Sequence, residues 1–482
     1  MSNFDLSSLA LASAFPTNKI LTDDKGLPSV MVYIPKFKMS DVIDGAGDST
    51  HPAFIVNGVE KDGIYISKYQ NVAYNNRAYS LPGEDPKVSI TADTARKYCE
   101  DKGAGWHMMS AMEWGALALW CKKNGWMPWG NNNYGKDTRE TMKKGVPAKY
   151  ESDGKIATIL TGTGPAEYSH NKQLDGIYDL NGNVWEWSDG MRLVYGELQV
   201  LENNNAADSS NSKAASSAAW KAIDGNTGAL ITPDGSGTTT NSLKLDMVSS
   251  KGKWITGTLS DKKDEGRGCS FASVTADTNV CDKAKAILYA LAMLPDSTTF
   301  DYEGDYFWFN NGNAGRFPIR GGNWNNGANA GVFYLNGNNS RSNANTNIGF
   351  RAALALFVYF LRAKAQQKHQ GKRDAFPGRQ GQRYTLVLLC RWRPPGTPSK
   401  PRRLAVVCYA GRRGIRILRR GNRRGKISPR NVTTRAIIMT TQGGTRTWIQ
   451  ETSPPFWREY TRGRIFWTHT TRQQARSGTA TT

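Results

Sequence analysis

The charged residues of this 482-residue chain are divided so unevenly that only the first 356 residues have the composition of an ordinary globular protein. Residues 1–356 contain 35 basic and 38 acidic residues, a net charge of −3. Residues 357–482 contain 28 basic and 3 acidic residues, a net charge of +25, and account for the formal charge of +22. A segment with so few acidic partners repels itself when it compacts. We therefore predict that the folded domain ends near residue 356 and that a basic tail follows it.

The rest of the composition excludes several classes of protein. The longest apolar run, Ala352–Leu361, is too short to cross a bilayer, which takes about 20 residues. The first residues lack the basic start of a secretory signal, so no signal peptide is predicted. The six cysteines show no CxxC spacing and the five histidines no helical spacing, which disfavours a zinc or histidine-rich metal centre. Cys269 and Cys281 bracket one loop and either form a disulfide or stay free.

The order of helix and strand signals predicts an α+β domain behind a short arm. The arm covers residues 1–28, and the domain extends over residues 29–356. Apolar residues alternate in the predicted strands and follow helical spacing in the predicted helices. The predicted elements are strands over Ser29–Met39 and Gly63–Gln70 and helices over Ser89–Gly103, Ser110–Gly125 and Lys283–Leu294. The predicted N-caps are Thr91 or Asp93, Ser110 in a capping box with Glu113, and Asp282.

A change of composition marks residues 190–315 as an addition to this domain. Within this stretch, residues 203–243 are rich in Ser, Thr, Asn, Ala and Gly, which is the composition of surface loops. We therefore predict a large loop-rich insertion over residues 190–315, in which the helix after Asp282 is the main regular element.

The segment GIYDLNGNVWEWSDG, Gly176–Gly190, places a carboxylate beside a tight turn. Asparagine and glycine favour a turn at residues 181–183, and Glu186 then lies on the face opposite Trp185 and Trp187. Calcium prefers several oxygen ligands from carboxylates and flexible backbone, so the turn suits a structural calcium ion; alternatively, the carboxylate only hydrogen-bonds the turn. The predicted calcium ligands are the side chain of Glu186 and the carbonyl oxygens of Asn181, Gly182 and Val184. No other cofactor is expected.

This segment resembles the signature of the formylglycine-generating-enzyme-like domains, which are the sulfatase-modifying-factor type of the C-type lectin fold. Further segments resemble motifs of this family and follow in the family's order. These segments are Ser29–Met39, Tyr65–Tyr69, Ser89–Cys99, MSAMEWGAL (Met109–Leu117), MPWG (Met127–Gly130), RGGNW (Arg320–Trp324) and GFRAA (Gly349–Ala353). The resemblance covers residues 29–356 and implies a C-type-lectin-like α+β fold of the formylglycine-generating-enzyme type.

The resemblance does not extend to the residues that carry the family's chemistry. In the oxidase members, one of two copper-binding cysteines lies three residues before the Arg of a CAAR-type segment. Asn338 occupies that place before Arg341, and no cysteine occurs between Cys281 and Cys390. The iron-dependent, sulfur-oxidising relatives need several histidines, and the histidines of residues 1–356 lie outside the matching motifs. We therefore predict a protein that is not an enzyme; a formylglycine-generating or sulfur-oxidising enzyme is the alternative.

Asparagine makes up ten of the 25 residues from 323 to 347. A buried polar group without a partner costs about 1–3 kcal/mol, so most of these amides must face water or a ligand. We expect Trp324, Phe333 and Phe350 to anchor the segment in the core. An asparagine-rich surface loop and a binding surface both fit this pattern.

The segment also resembles the variable region of diversity-generating retroelement target proteins, which ends in RSNSNTNIGFR on the same lectin scaffold. RSNANTNIGFR, Arg341–Arg351, is nearly that string, although Gly337 replaces a commonly apolar residue and the chain continues beyond GFR. In such systems a reverse transcriptase mutates template adenines, so asparagine codons become codons for many residue types. The resemblance implies a hypervariable surface over residues 321–351. The predicted ligand-binding residues are Asn323, Asn325, Asn326, Asn329, Tyr334, Asn336, Asn338, Asn339, Asn343 and Asn345.

What the resemblance implies about function is ligand binding without catalysis. A phage receptor-binding protein and a surface-displayed, adhesin-like protein are the two expected forms. The expected partner is a variable protein or glycan ligand on a host or neighbouring cell, and the expected location is the virion or the cell surface.

The basic tail, residues 357–482, has three interpretations. Arg412–Lys426 is a cationic run that suits phosphate contacts, so binding of nucleic acid through the tail is one alternative. The low content of acidic residues and the lack of periodicity in the tail as a whole indicate disorder instead. We favour disorder that arises from non-native read-through beyond the natural end of the gene.

Overall fold

The computed structural model describes Ser13, residues 15–355 and seven strands between residues 384 and 468. These residues fall into two compact units, one within residues 1–357 and one within residues 358–482. In the described part of the chain, no helix combines the length and the apolar composition that a membrane crossing requires.

The first unit is rich in short strands and contains four described α-helices. Its strands are β1 (Asn18–Thr22), β2 (Pro28–Pro35), β3 (Ile55–Val56), β4 (Val59–Glu60), β5 (Gly63–Ser67), β6 (Val72–Tyr74), β7 (Arg77–Tyr79), β8 (Trp106–Met108), β9 (Trp185–Trp187), β10 (Met191–Val194), β11 (Glu197–Val200), β12 (Lys221–Ile223), β13 (Leu230–Ile231), β14 (Lys244–Val248), β15 (Lys251–Ile255), β16 (Arg267–Ser270), β17 (Thr275–Ala276), β18 (Tyr306–Phe309), β19 (Arg316–Arg320), β20 (Leu335–Ser340), β21 (Ile348–Phe350) and β22 (Ala352–Leu354). Its helices are α1 (Met39–Val42), α2 (Ala92–Glu100), α3 (Ala111–Lys123) and α4 (Asp282–Ala290).

A five-stranded sheet joins the two ends of this unit. Its strand order is β1-β2-β5-β22-β8, so β22 lies between two strands from the first third of the unit. Strand β1 pairs with β2 in antiparallel register, with Asn18 opposite Val32. The predicted arm over residues 1–28 therefore includes an edge strand of the sheet. Its burial explains this difference, because Asn18 is fully buried and accepts a 2.7 Å hydrogen bond from the ammonium of Lys68.

The helix boundaries follow local capping chemistry. Thr91 caps α2 by accepting a hydrogen bond from the Thr94 backbone, and Ser110 and Glu113 form the predicted capping box at α3. For α4 the prediction is wrong at the N-terminus: Cys281 is the N-cap, without a side-chain hydrogen bond, and Asp282 is already helical. These outcomes agree with the strength of the signals, since a capping box specifies two reciprocal hydrogen bonds and a lone aspartate specifies none.

A thirteen-stranded mixed sheet forms the larger part of the unit. Its main order is β16-β18-β20-β19-β10-β11-β14-β15-β17, and β9 pairs with both β19 and β21. Residues 190–315 supply β10–β18 to this sheet and also supply α4, so the predicted insertion contains more regular structure than its composition indicates. Burial explains the difference, because every residue of β10 and β11 is buried.

Helix α3 is the central element of the core, and it packs against α4. Ten of its residues are buried, and Trp114 donates a 2.7 Å hydrogen bond from Nε1 to the carbonyl of Val332. Gly115 permits the approach of the two helices, since a Cβ there would lie 2.1 Å from the carbonyl oxygen of Ala290. Helix α4 therefore belongs to the core of the domain.

The second unit is described only through the backbone of its strands. They are β23 (Tyr384–Trp392), β24 (Arg402–Gly411), β25 (Gly414–Arg419), β26 (Arg435–Thr441), β27 (Gly444–Gln450), β28 (Trp457–Thr461) and β29 (Arg464–Thr468). They pair in the orders β23-β24-β25 and β26-β27-β28-β29. Residues such as Val, Ile, Thr and Trp, which favour strands, are frequent in these segments. These strands lie within the segment predicted to be disordered, and β25 lies within the predicted cationic run Arg412–Lys426. The rest of the predicted tail lies outside the described residues, and binding of nucleic acid stays a prediction.

Candidate binding surface

Strand β20 presents two of the predicted variable asparagines to solvent. Along Leu335–Ser340 the residues alternate between buried and partly exposed, so Leu335 and Gly337 face inward while Asn336 and Asn338 face outward. The alternation follows from the two-residue repeat of a strand. Strands β18 and β19 pair with β20 on its two sides and fix its backbone.

Two partly exposed aromatic residues from β18 lie beside these amides. Strands β18 and β20 are parallel, and Trp308 is in register with Asn336. The ring of Tyr306 lies 6.2 Å from that of Trp308 and 6.1 Å from that of Tyr334. Neither Tyr306 nor Trp308 is among the ligand-binding residues that the sequence predicts. The alternating pattern YFWF was the available signal, because it buries Phe307 and Phe309 and leaves the other two rings outward.

A chain of amide hydrogen bonds continues this surface into the turn after β20. Asn343 donates from Nδ2 to Oδ1 of Asn339 over 2.7 Å, and Asn339 donates to Oδ1 of Asn336 over 3.2 Å. Arg341 holds the turn on α2, because its guanidinium pairs with Asp93 and its carbonyl accepts from the Ala92 backbone. Asn345, further along the turn, is exposed.

A second group of asparagines lies in the turn between β19 and β20. Asn325 and Asn329 are exposed, and Asn326 is partly exposed. Asn326 accepts a 2.7 Å hydrogen bond at Oδ1 from the Asn323 backbone, which closes the turn. This turn contacts other loops, since the Gly327 backbone donates to the carbonyl of Asn132.

The predicted anchors are confirmed, and three predicted ligand-binding residues are corrected. Trp324, Phe333 and Phe350 are buried, as expected. Three residues that we predicted at the surface are buried. They are Asn323 (2% exposed), Tyr334 (6%) and Asn339 (9%). Tyr334 packs edge-on against Trp185 with ring centres 4.6 Å apart, and Asn339 is enclosed by its neighbouring amides. Composition alone could not separate these positions from their exposed neighbours.

Glu186 and Arg351 form a fully buried ion pair between β9 and the end of β21. The guanidinium donates from Nε to Oε2 over 2.9 Å and from Nη2 to Oε1 over 2.7 Å. Arg351 also donates to the carbonyls of Ser67 and Tyr178, both over 2.8 Å. Gln70 donates to Glu186 over 3.1 Å, so the carboxylate has partners at both oxygens.

The arrangement of Asn181, Gly182, Val184 and Glu186 disagrees with the calcium site that the sequence predicts. A divalent cation at Glu186 would meet the guanidinium that already neutralises this carboxylate. The carbonyl of Val184 accepts a 2.8 Å hydrogen bond from Gln70, and the carbonyl of Asn181 lies against Gly130, where a Cβ would be 1.7 Å away. These residues do not fit the ion.

The described residues offer little for redox or metal chemistry. Asn338, at the place of the oxidase cysteine, is a partly exposed amide on β20. The described cysteines are free, and Cys269 and Cys281 form no disulfide. Within residues 15–355, no three His, Cys, Asp or Glu side chains converge on a metal position. Burial lowers the pKa of His51 to about 3 and that of His170 to about 4, so both imidazoles are neutral at pH 7.

A buried carboxylate supports the turn between β19 and β20. Asp305 is 2% exposed, and its Oδ2 accepts a 2.7 Å hydrogen bond from the Phe333 backbone. Burial raises the pKa of this carboxyl well above its usual value, and the nearby Glu303 raises it further while Arg139 lowers it. A raised pKa in the folded state means that the folded protein retains the proton more strongly. The contribution of Asp305 to stability therefore falls as the pH rises above the usual aspartate range.

We predict that Asp305→Asn stabilises the protein at alkaline pH. The amide keeps an oxygen for the Phe333 N–H and cannot ionise, so the melting temperature at pH 8 should rise by about 2–4 °C. The gain should shrink as the pH falls towards the usual aspartate range, because the raised pKa favours the neutral carboxyl of the wild type there. Melting curves of both proteins across this pH range measure the effect, and a variant less stable than the wild type at pH 8 would contradict it.

Comparison with known proteins agrees with this fold. Residues 22–228 match the family described as the sulfatase-modifying factor enzyme 1-like domain. That part of the chain is therefore similar to domains of this type, and the sheet-rich unit with few helices has the α+β, C-type-lectin-like fold. Two solved structures, the Major Tropism Determinant U1 and P3c variants, are 12% and 10% identical in sequence. Each match covers 70% of this chain and 71% of the other, with TM-scores of 0.24 and 0.25.

Proposed function

We propose that this chain, whose residues 22–228 are similar to a sulfatase-modifying-factor-type domain, is a ligand-binding protein without catalytic activity. Its binding surface consists of the exposed asparagines of residues 321–351. The observation that carries the proposal is the alternation along β20, where Asn336 and Asn338 face outward and the alternate residues Leu335, Gly337 and Asn339 are buried. The ligand is a protein or glycan on a host or neighbouring cell, and the protein acts at the surface of a virion or a cell.

The positions of these asparagines in the fold support a surface on which their side chains can be replaced. Strand β20 pairs through its backbone with β18 and β19 on its two sides. Among its outward side chains, Asn336 also accepts a 3.0 Å hydrogen bond from the Asn338 backbone, which is a local contact within the strand. Substitutions at exposed positions usually change stability by no more than about 0.5 kcal/mol. Polar amides mixed with Tyr and Trp also have the composition of antibody paratopes.

The enzyme alternative is less well supported by the residues present. The copper-dependent oxidases of this fold need cysteine thiolates to bind the metal. In this chain, Asn338 occupies the position of one of those cysteines. Burial raises the pKa of the Cys99 and Cys121 thiols, so neither forms a thiolate readily. The full chain, incubated with Cu(I) and a cysteine-containing peptide under air, should form no more aldehyde from the cysteine than a blank without the protein. Disulfide formation is ignored because copper and air oxidise thiols unaided. Formation of the aldehyde that depends on the protein would support an enzyme.

Two matched libraries test the binding function. In the full chain, one library randomises five exposed or partly exposed asparagines, and the control library randomises five buried ones. The first set is Asn325, Asn329, Asn336, Asn338 and Asn343, and the control set is Asn71, Asn131, Asn181, Asn183 and Asn204. We expect most members of the first library to resist protease like the parent protein and most members of the control library to be degraded.

Selection of the first library on immobilised hen egg-white lysozyme, used as an arbitrary protein target, should then give specific binders. Equal protease sensitivity of the two libraries, or the absence of binders after repeated selection, would overturn the proposed function.

A further inference from the structure

We infer that Trp308 and Tyr306 form a permanent anchor for a protein ligand at the centre of the diversifiable surface. Both residues lie on β18 and therefore outside residues 321–351, so diversification of that segment leaves them unchanged. The inference rests on the proposed function and names the residues that all versions of the surface share. Trp308 is in register with Asn336, which places a fixed ring directly beside a replaceable side chain.

The two rings rest on a strip of backbone that has no side chains. Strand β16 pairs with β18, and Gly268 lies opposite Trp308. A Cβ on Gly268 would lie 2.7 Å from Tyr306 and 2.9 Å from Trp308, and a Cβ on Gly266 would lie 2.4 Å from Nε1 of Trp308. The glycines therefore let the rings pack directly on the backbone of β16, while both rings stay partly exposed to solvent.

The strand itself holds these rings in a fixed orientation. Phe307 and Phe309 alternate with Tyr306 and Trp308 and are fully buried, so β18 cannot rotate without exposing its core residues. Tyr334, the residue just before β20, contacts the ring of Tyr306 edge-on. Rigid aromatic side chains lose little entropy on binding and are the most frequent energetic centres of protein interfaces.

The surroundings of the rings favour a protein as the occupant. Next to the rings lie the uncharged amides of Asn336 and Asn338. The charged residues further out are paired, as in Arg316 with Asp264 over 3.1 Å and Arg341 with Asp93. An apolar centre, a polar surround and a rim of neutralised charges are the anatomy of a protein interface. The complementary partner is a folded protein that presents an uncharged aliphatic or aromatic side chain to Trp308.

Alanine substitution in independently selected binders tests this inference. Trp308→Ala is introduced into several lysozyme binders from the exposed-asparagine library, and the dissociation constants are measured by surface plasmon resonance with the full chain. We expect Trp308→Ala to weaken most of these binders by at least about tenfold, whatever their library sequence. Trp308→Phe should retain most of the affinity. Trp126→Ala, at the end of α3, is the matched control on a partly buried tryptophan and should leave binding unchanged.

The outcomes separate this inference from the proposed function. Binders that tolerate Trp308→Ala would overturn the anchor while the binding function stands, and a library without binders would overturn the function itself. If the melting curve shows that Trp308→Ala does not fold, the dissociation constants of Trp308→Phe and Tyr306→Ala are compared with that of the parent binder instead. Trp308-dependent capture of neutral oligosaccharides on a glycan array, without any lysozyme binder, would overturn the assignment of a protein partner.

Discussion

Replacement of Arg351 by alanine should destabilise the folded domain by about 3–5 kcal/mol, because it leaves the carboxylate of Glu186 buried without a counter-charge. The same change removes the donors to the carbonyls of Ser67 and Tyr178. Chemical unfolding of the full chain, followed by tryptophan fluorescence, measures the loss of free energy of unfolding.

Two controls distinguish this ion pair from the calcium site that the sequence predicted. Excess EDTA should leave the melting temperature of the wild type unchanged, since the guanidinium of Arg351 balances Glu186. The double variant Glu186→Gln/Arg351→Met should lose less stability than Arg351→Ala alone, because it leaves no unpaired charge in the core. A lower melting temperature in EDTA would restore the calcium interpretation, and an equal loss in single and double variants would contradict the ion-pair argument.

The second large effect is expected at Trp324, in contrast to its neighbour Asn325. Trp324 is 7% exposed, packs against Ala157 and Val184, and donates a 2.6 Å hydrogen bond to Glu151. Trp324→Ala should therefore cost about 3–5 kcal/mol of unfolding free energy. Asn325→Ala, one residue away on the exposed side of the same turn, should change it by no more than about 0.5 kcal/mol.

Trp324→Phe is the conservative control and should recover part of the lost stability through its ring. The free energies of unfolding of all three variants come from denaturant curves of the full chain. Similar losses at Trp324 and Asn325 would show that this turn does not separate anchors from replaceable positions, and the proposed surface would fail with that result.

The elements that the sequence predicted well are those with local causes. The capping box of Ser110 with Glu113 and the cap at Thr91 depend on residues three positions apart, and both helices begin where these residues indicate. The anchors Phe333 and Phe350 are buried for an equally simple reason, since large apolar side chains surrounded by amides have to supply the core contacts.

The errors occur where the decisive partner is distant along the chain. Glu186 meets Arg351 across 165 positions, and no local pattern at the turn of residues 181–183 reveals a guanidinium there. The burial of Tyr334 likewise depends on Trp185, which a different strand brings to it. The residues of β1 form a strand because the edge of β2 is available for pairing. The mixed polarity of these residues does not predict that pairing.

The position of β22 has a consequence for the inheritance of the variable segment. This strand follows residue 351 directly and lies between β5 and β8, so the sheet at the start of the domain remains open until the variable segment has been synthesised. A copy that acquires a stop codon or a shifted reading frame within residues 321–351 lacks β22, the strand that joins β5 to β8 in that sheet, and cannot complete it. Under the proposed function, every copy that folds has therefore been read in frame through the whole segment, and the fold itself would remove defective products of diversification.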